Sequence, residues 1–343
     1  MGEHDAVGPE VRGTWRAVRA PARPRTLRGA LHEELRLRHY SERTLKAYDQ
    51  WVRRYLRFHR PRHPRELGSP GVRAFLVHLT EARQVSAATL NQAHAALRFL
   101  YRDVLGRPEG WLDDLPSAKA SVKLPSVLSR AEVQTVVEQL DERTRLVVLL
   151  LYGSGLRLQE ALSLRVKDLS VERHEVVVRD GKGGKDRITM LAEAAVPLLR
   201  TWLEARQADH QSERRRGEGA VLLPEANARK SPEWMTAWAW QYLFPASQLI
   251  ECPATHRWVV PPLHPSAIQR LVASAGRAAA LPHRVTCHIF RHSFATHLLE
   301  DGYDIRTVQE LLGHRDVRTT MIYTHVLQRG GRGVKSPMDR WSG

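Results

Sequence analysis

Three stretches near the C-terminal end decide the fold: His288-Ile289-Phe290-Arg291-His292-Ser293-Phe294-Ala295-Thr296-His297, then Leu311-Leu312-Gly313-His314, then Tyr323-Thr324-His325. Side chains three or four apart on a helix stand side by side. His288 and Arg291 therefore project together and pair a proton carrier with a planar, permanently charged phosphate clamp. A buried histidine beside a surface arginine accounts for the same pair. His288 and His292 also share a face, which raises a metal site, but the zinc-protease pattern needs Glu after the first His and Ile289 stands there. Tyr323 reads equally well as core, because Val317, Met321, Tyr323, Val326 and Leu327 fit one packing face. For His314 and Tyr323 to face one site, Asp316 must open a fresh helix, and it is a suitable N-cap.

Working upstream, helices are predicted near Pro265 to Ala280, Ile289 to Asp301, Asp304 to Leu312 and Asp316 to Gln328. Before them come a helix from about Ala192 to Asp209, a charged loop from Glu213 to Glu218 and a Trp-rich segment. Val176-Val177-Val178 and Ile188 to Met190 flank Gly181-Lys182-Gly183-Gly184, a β-hairpin signal with glycine where positive φ is needed. Lys182 sits at the tip, where it can reach a bound ligand; Lys185 is its rival, and a solvated turn is the alternative for both. Ser129 with Glu132 makes a capping box opening a helix to about Leu140. A second helix, Glu142 to Tyr152, is ended by Gly153 and Gly155, and a third, Leu158 to Leu164, leaves Arg157 at its entrance.

Residues 1–24 are rich in Arg, Pro, Ala and Gly and read as a loose basic arm. Four amphipathic helices follow, with Leu27, Leu31, Leu35 and Leu37 in the first and Tyr48, Trp51, Tyr55 and Phe58 in the second. The others run from Pro70 to about Arg83 and from Ser86 to Leu105. The polar, Pro-containing stretch after Gly106 reads as a linker. The fold class expected is mainly α with a small antiparallel β-sheet. The domains expected are a helical one over 25–107, a linker over 108–125 and a second domain over 126–343 with an inserted aromatic segment over about 232–262.

Composition narrows the function. The 343 residues carry 53 Lys+Arg against 37 Asp+Glu, a net charge of +16, and the pI is near 10.5, which suits a polyanionic partner. The N-terminal 110 residues hold +10 of that charge. Arg outnumbers Lys 45 to 8, a bias that base composition alone can generate. No apolar run approaches the roughly 20 residues of a membrane-spanning helix, and the N-terminus makes a poor secretory signal. A cytoplasmic location and no membrane partner are expected. Cys252 and Cys287 are too few for a disulfide framework or a thiolate zinc site.

Together with Gly153-Ser154-Gly155-Leu156-Arg157-Leu158-Gln159-Glu160 and Thr319-Thr320-Met321-Ile322-Tyr323, these stretches in this order resemble the tyrosine recombinase (phage integrase) family over roughly residues 25–335. The likeness is greatest to the integron integrases. It implies a helical, SAM-like core-binding domain followed by a catalytic domain. It also implies a catalytic sextet of Arg157, Lys182, His288, Arg291, His314 and Tyr323. Tyrosine, with a pKa near ~10, needs help with its proton to attack a phosphodiester. His288 is the expected base and Lys182 the expected acid for the departing 5′ oxygen. Arg157, Arg291 and His314 would stabilise the nonbridging oxygens, and Glu160 would orient Arg157. The product is a 3′-phosphotyrosyl ester that conserves bond energy, so neither metal, cofactor nor ATP is implied.

Ala237 to Ser247 resembles the segment that separates integron integrases from their relatives and grips bases flipped out of folded single-stranded sites. Trp238, Trp240, Tyr242 and Phe244 would offer the stacking faces, each worth ~1–3 kcal/mol, with Lys185 as a further DNA contact. The partners implied are DNA at integron attachment sites, including folded single strands, and three further copies in a homo-tetramer. A bacterial, nucleoid-associated protein is implied. Other readings are a phage-type or chromosome-dimer-resolving recombinase acting on duplex sites, a type IB topoisomerase, and a DNA-binding relative without catalysis.

Overall fold

A computed structural model describes residues 26–108, 110, 115, 118, 126–179, 186–223, 227, 230–252 and 257–324. The arm over 1–24, most of the linker and the hairpin tip lie outside the described residues. The chain forms two compact units, Met1–Val122 and Lys123–Gly343.

In the first unit, Thr26 and Ser41 accept main-chain N–H bonds at the starts of α1 (Leu27–Leu37) and α2 (Glu42–Phe58). These caps satisfy donors that have no partner within the helix. α3 (Pro64–Glu81) begins six residues before the expected Pro70. His63 caps it and Pro64 opens it, and Gly68, at φ +61, kinks the chain so that Pro70 falls in a new first turn. α4 (Ala87–Phe99) runs into a wider turn over Leu100–Val104. Leu31, Leu35, Val52, Val72, Leu97 and Leu100 form the dry centre. Within it Tyr101 donates to the Pro64 carbonyl at 2.9 Å and receives the Tyr55 hydroxyl at 2.7 Å, so both buried phenols are satisfied.

The second unit opens with α5 (Arg130–Glu138), whose Ser129–Glu132 capping box is formed as read. α6 (Glu142–Gly153) and α7 (Leu158–Ser163) follow. A three-stranded antiparallel sheet comes next, in the order β1 (Leu169–Ser170), β2 (Glu175–Val178), β3 (Arg187–Met190). Val177 pairs with Ile188 and Val176 with Thr189. In β3 the facing is the reverse of what apolar patterning suggests: Thr189 is buried and Ile188 is 59% exposed.

α8 (Val196–Arg215) absorbs part of the charged stretch read as loop. Its Arg and Glu residues are good helix formers, and Arg206 pairs with Asp209 at 3.1 Å one turn on. The Trp-rich segment makes two 3-10 turns, Pro232–Met235 and Trp238–Trp240. A small hairpin of β4 (Ile250–Glu251) and β5 (Trp258–Val259) follows. The chain ends with α9 (Pro265–Ala278), α10 (Cys287–Glu300), α11 (Ile305–Leu312) and the single turn α12 (Arg318–Met321). Leu146, Leu150, Leu162, Val176, Phe244, Ile268 and Phe290 belong to the main core. The fold is mainly α with small antiparallel sheets, as the sequence implies. Among the described residues no helix is long and apolar enough to cross a membrane.

Candidate active site

Gly153 and Gly155 break the chain between α6 and α7 and leave Arg157 as N-cap of α7. The Arg157 main-chain N–H donates to Glu160 Oε2 at 2.8 Å, and its Nη1 donates to Oε1 at 2.6 Å. One carboxylate thus starts the helix and aims the guanidinium. Arg187, at the head of β3, grips the same carboxylate with both terminal nitrogens, at 3.1 and 2.7 Å. Its Nε donates to the Leu311 carbonyl at 3.0 Å. Burial pushes the Glu160 carboxyl up, but the hydrogen bond from Arg187, that from the Arg157 backbone and both arginine charges outweigh it and hold its pKa at about 2.

Arg291, on α10, is 1% exposed. Its Nη1 donates to the Gly155 carbonyl, and its Nη2 to the Leu312 carbonyl at 2.6 Å and to His314 Nε2 at 3.1 Å. Burial, then the neighbouring Arg157, push the guanidinium below its ordinary value. Gly155 has φ +63, and a Cβ there would sit 2.4 Å from the Phe294 ring, so the carbonyl that seats Arg291 depends on glycine. Gly313 closes α11 in the left-handed conformation, and a Cβ on it would meet Arg187 at 2.7 Å.

That turn delivers His314. Arginine can only donate, so Nε2 accepts and the ring hydrogen lies on Nδ1, which donates to Thr320 Oγ1 at 3.0 Å. Burial and the charges of Arg291, Arg157 and Arg187 hold the imidazole at about 3. Asp316 accepts the Arg318 main-chain N–H at 2.9 Å and so helps to turn the chain into α12. Tyr323 follows, 1% exposed. Its ring lies 6.4 Å from that of His314 at an interplanar angle of 13°. Burial raises its phenol, against the charges of Arg291 and Arg157.

The hydroxyl of Tyr323 lies 2.9 Å from His292 Nδ1. His288, expected to face it, is exposed in the first turn of α10 and sets its ring edge-on against His292 at 4.4 Å. The reason is helical phase. Positions 288 and 292 share a stripe, and the second of them lies deeper beside α12. Desolvation, then Arg291 and Arg157, lower the His288 pKa.

The structure thus gathers Arg157, Glu160, His288, Arg291, His314 and Tyr323 into one constellation and adds Arg187 and His292. Lys182 and Lys185 lie outside the described residues. Spacing alone misses Arg187, because its partners are distant in sequence.

Two of the four aromatics expected to stack on bases, Tyr242 and Phe244, depart from expectation. Phe244 is fully buried beside Trp202 and Tyr242 is 9% exposed beneath the Arg165 guanidinium. Both complete the core under the inserted segment and present no free face to a base. Trp238 is half-buried against His210. Trp240 stacks on Trp234 at 4.8 Å, with the Lys167 ammonium 3.1 Å from its ring centre.

Both units match known families. The sequence model of the phage integrase family matches residues 126–329, and that of the phage integrase N-terminal SAM-like domain matches 27–111. The chain belongs to the phage integrase family, the tyrosine recombinases that carry out site-specific DNA recombination. An integrase/recombinase of Escherichia coli is 45% identical over 309 residues, covering 90% of this chain and 92% of the relative. Tyrosine recombinase XerA of Thermococcus kodakarensis is 35% identical over 293 residues, covering 83% and 86%. Among solved structures, XerH site-specific recombinase bound to palindromic difH substrate gives a TM-score of 0.61 at 21% identity, covering 89% of this chain and 82% of that one. A lambda integrase tetramer bound to a Holliday junction gives 0.60 at 15% identity, covering 91% and 78%.

Proposed function

We propose that this chain is an integron-type integrase that excises and inserts gene cassettes by cutting and rejoining DNA strands through Tyr323. The observation that carries the chemistry is the convergence of Arg157, Arg291 and His314 on the enclosure of one buried tyrosine hydroxyl. The Tyr323 oxygen attacks the scissile phosphorus, a P–O bond forms, and the bond to the 5′ oxygen breaks. Charge that builds on the nonbridging oxygens meets the guanidiniums of Arg157 and Arg291, and fixed donors of this kind stabilise a transition state without reorganising. His314, accepting from Arg291 at Nε2, holds that guanidinium in place and in this tautomer is not itself a donor to the phosphate. Lys182 gives its proton to the departing 5′ oxygen. The phenolic proton leaves toward the α10 histidines. Attack by a 5′ hydroxyl of another strand reverses the steps and seals the new junction.

Residues 25–107 act as the core-binding domain and 126–343 as the catalytic domain. Exchange between two duplexes requires four sites, so the working form is a homo-tetramer on DNA, at the nucleoid in the cytoplasm. The inserted segment around Trp238 and Trp240 supports the integron reading. The likeness to XerA favours a second one, a Xer-type recombinase acting on duplex sites.

The test is incubation of wild type and Tyr323→Phe with nicked suicide substrates, one a folded bottom strand of an integron-type site and one its duplex. The label sits on the fragment that stays attached. Wild type alone is expected to give a covalent protein–DNA band, stronger on the folded strand, while Tyr323→Phe binds with unchanged affinity. A stronger band on duplex selects the Xer-type reading. A band with Tyr323→Phe removes Tyr323 from the chemistry.

A further inference from the structure

We propose that His292, and not His288, is the group that takes the phenolic proton of Tyr323 during strand cleavage and returns it during religation. The inference rests on the reading of Tyr323 as nucleophile and adds a catalytic residue to it. Four observations support it.

The first is contact: His292 Nδ1 is 2.9 Å from the reacting oxygen, within the reach that proton transfer demands. His288 touches the His292 ring instead. The second is direction. Among the described residues no other acceptor stands at the Tyr323 hydroxyl, so the phenol donates and Nδ1 accepts, with the imidazole hydrogen on Nε2. The third is availability. Burial, the neighbouring His288 and Arg291 hold the His292 imidazole at about 4, so near neutral pH the ring is neutral, and with its hydrogen on Nε2 it keeps a lone pair at Nδ1. The groups facing it are His288 and Arg291 on its own helix and Tyr323 from beyond α12; the two rings flank it without a fixed negative charge to trap a proton. The fourth is exclusion of the rival on Tyr323's other side. His314 Nε2 is occupied by Arg291 and its Nδ1 by Thr320.

The step balances. As the Tyr323 oxygen bonds to phosphorus, its hydrogen passes to His292 Nδ1 and leaves a transient imidazolium, while the 5′ oxygen departs with a proton from the general acid. In religation the imidazolium returns its proton to the leaving phenolate.

The experiment is single-turnover formation of the covalent adduct by full-length protein on a nicked site, with DNA affinity measured in parallel. His292→Asn keeps a hydrogen-bond acceptor beside the hydroxyl but has no basicity. It is expected to cleave about 100-fold more slowly, the lower end for loss of a general base, with affinity unchanged. Replacing Tyr323 by 3,5-difluorotyrosine, whose phenol ionises far more readily, is expected to restore most of that rate in His292→Asn and none of the rate lost in His288→Asn. Wild-type cleavage by His292→Asn, a deficit that fluorination leaves untouched, or rescue of His288→Asn instead would overturn the assignment while leaving Tyr323 as nucleophile. Failure of the wild type to form an adduct on any recombination site would bring down the underlying reading itself.

Discussion

Glu160 is a buried carboxylate shared by the arginine that would clamp phosphate and the arginine that fastens β3. Its ordinary pKa of 4.5 falls to about 2 in the folded chain. A depressed carboxyl contributes stability that is complete above its unfolded pKa and is lost as pH falls toward the folded one. The shift corresponds to about 3 kcal/mol. Glu160→Gln is expected to lose about that much in urea unfolding at pH 7. The gap to wild type should close between roughly pH 4.5 and 2; a gap unchanged at the lowest pH would show that the charge is not its source. At this scale the sequence was legible where partners are near in the chain. Glu160 was legible from its three-residue distance to Arg157, and the same spacing related His288 to Arg291. Arg187 was not, because its two partners lie on α7 and at the end of α11. His292 drew notice only as a metal ligand, since nothing local says that Tyr323 will fold back against it.

The loop between α6 and α7 is the element on which the site is hung. It presents the Gly155 carbonyl to Arg291 and the Ser154 carbonyl to Thr189 of β3 at 2.9 Å. Gly155→Ala adds a methyl into the Phe294 ring at positive φ. A loss of about 1–3 kcal/mol is expected from overpacking, with slower cleavage at unchanged DNA affinity, and a thermal melt beside the covalent-adduct assay checks both. A variant as stable and as fast as wild type would mean that the loop tolerates rearrangement. The capping box at Ser129 and the break at Gly153 to Gly155 were legible because local chemistry decides them. β3 was not, because burial of Thr189 and Arg187 is imposed by the loop and by Glu160 against its apolar pattern. Tyr242 and Phe244 were not legible as core for a related reason: ring count does not distinguish a core filler from an open face such as those expected of Trp238 and Trp240, and tertiary packing does.

Across the whole chain, charge was the first signal and remains the simplest to test. A net +16, of which +10 falls in the first 110 residues, means that binding releases counterions from DNA. Affinity for a duplex of unrelated sequence is expected to fall linearly with salt on logarithmic axes. Six or more phosphate contacts would lower it by about 10³-fold between 50 and 200 mM. A flat salt response would indicate that the excess arginine reflects base composition rather than binding. The two-unit organisation and the family were legible in sequence because they rest on periodicity and on ordered motifs.

The two halves of the reaction are anchored very differently. Arg291 is held by main-chain carbonyls at the ends of two chain segments deep in the second unit, whereas Tyr323 is held through side chains: its own hydroxyl on His292, and the single turn before it tied by Thr320 to His314 and by Asp316 to its own start. A disturbance of α12 would therefore shift the tyrosine and leave the carbonyl seats of Arg291 where they are.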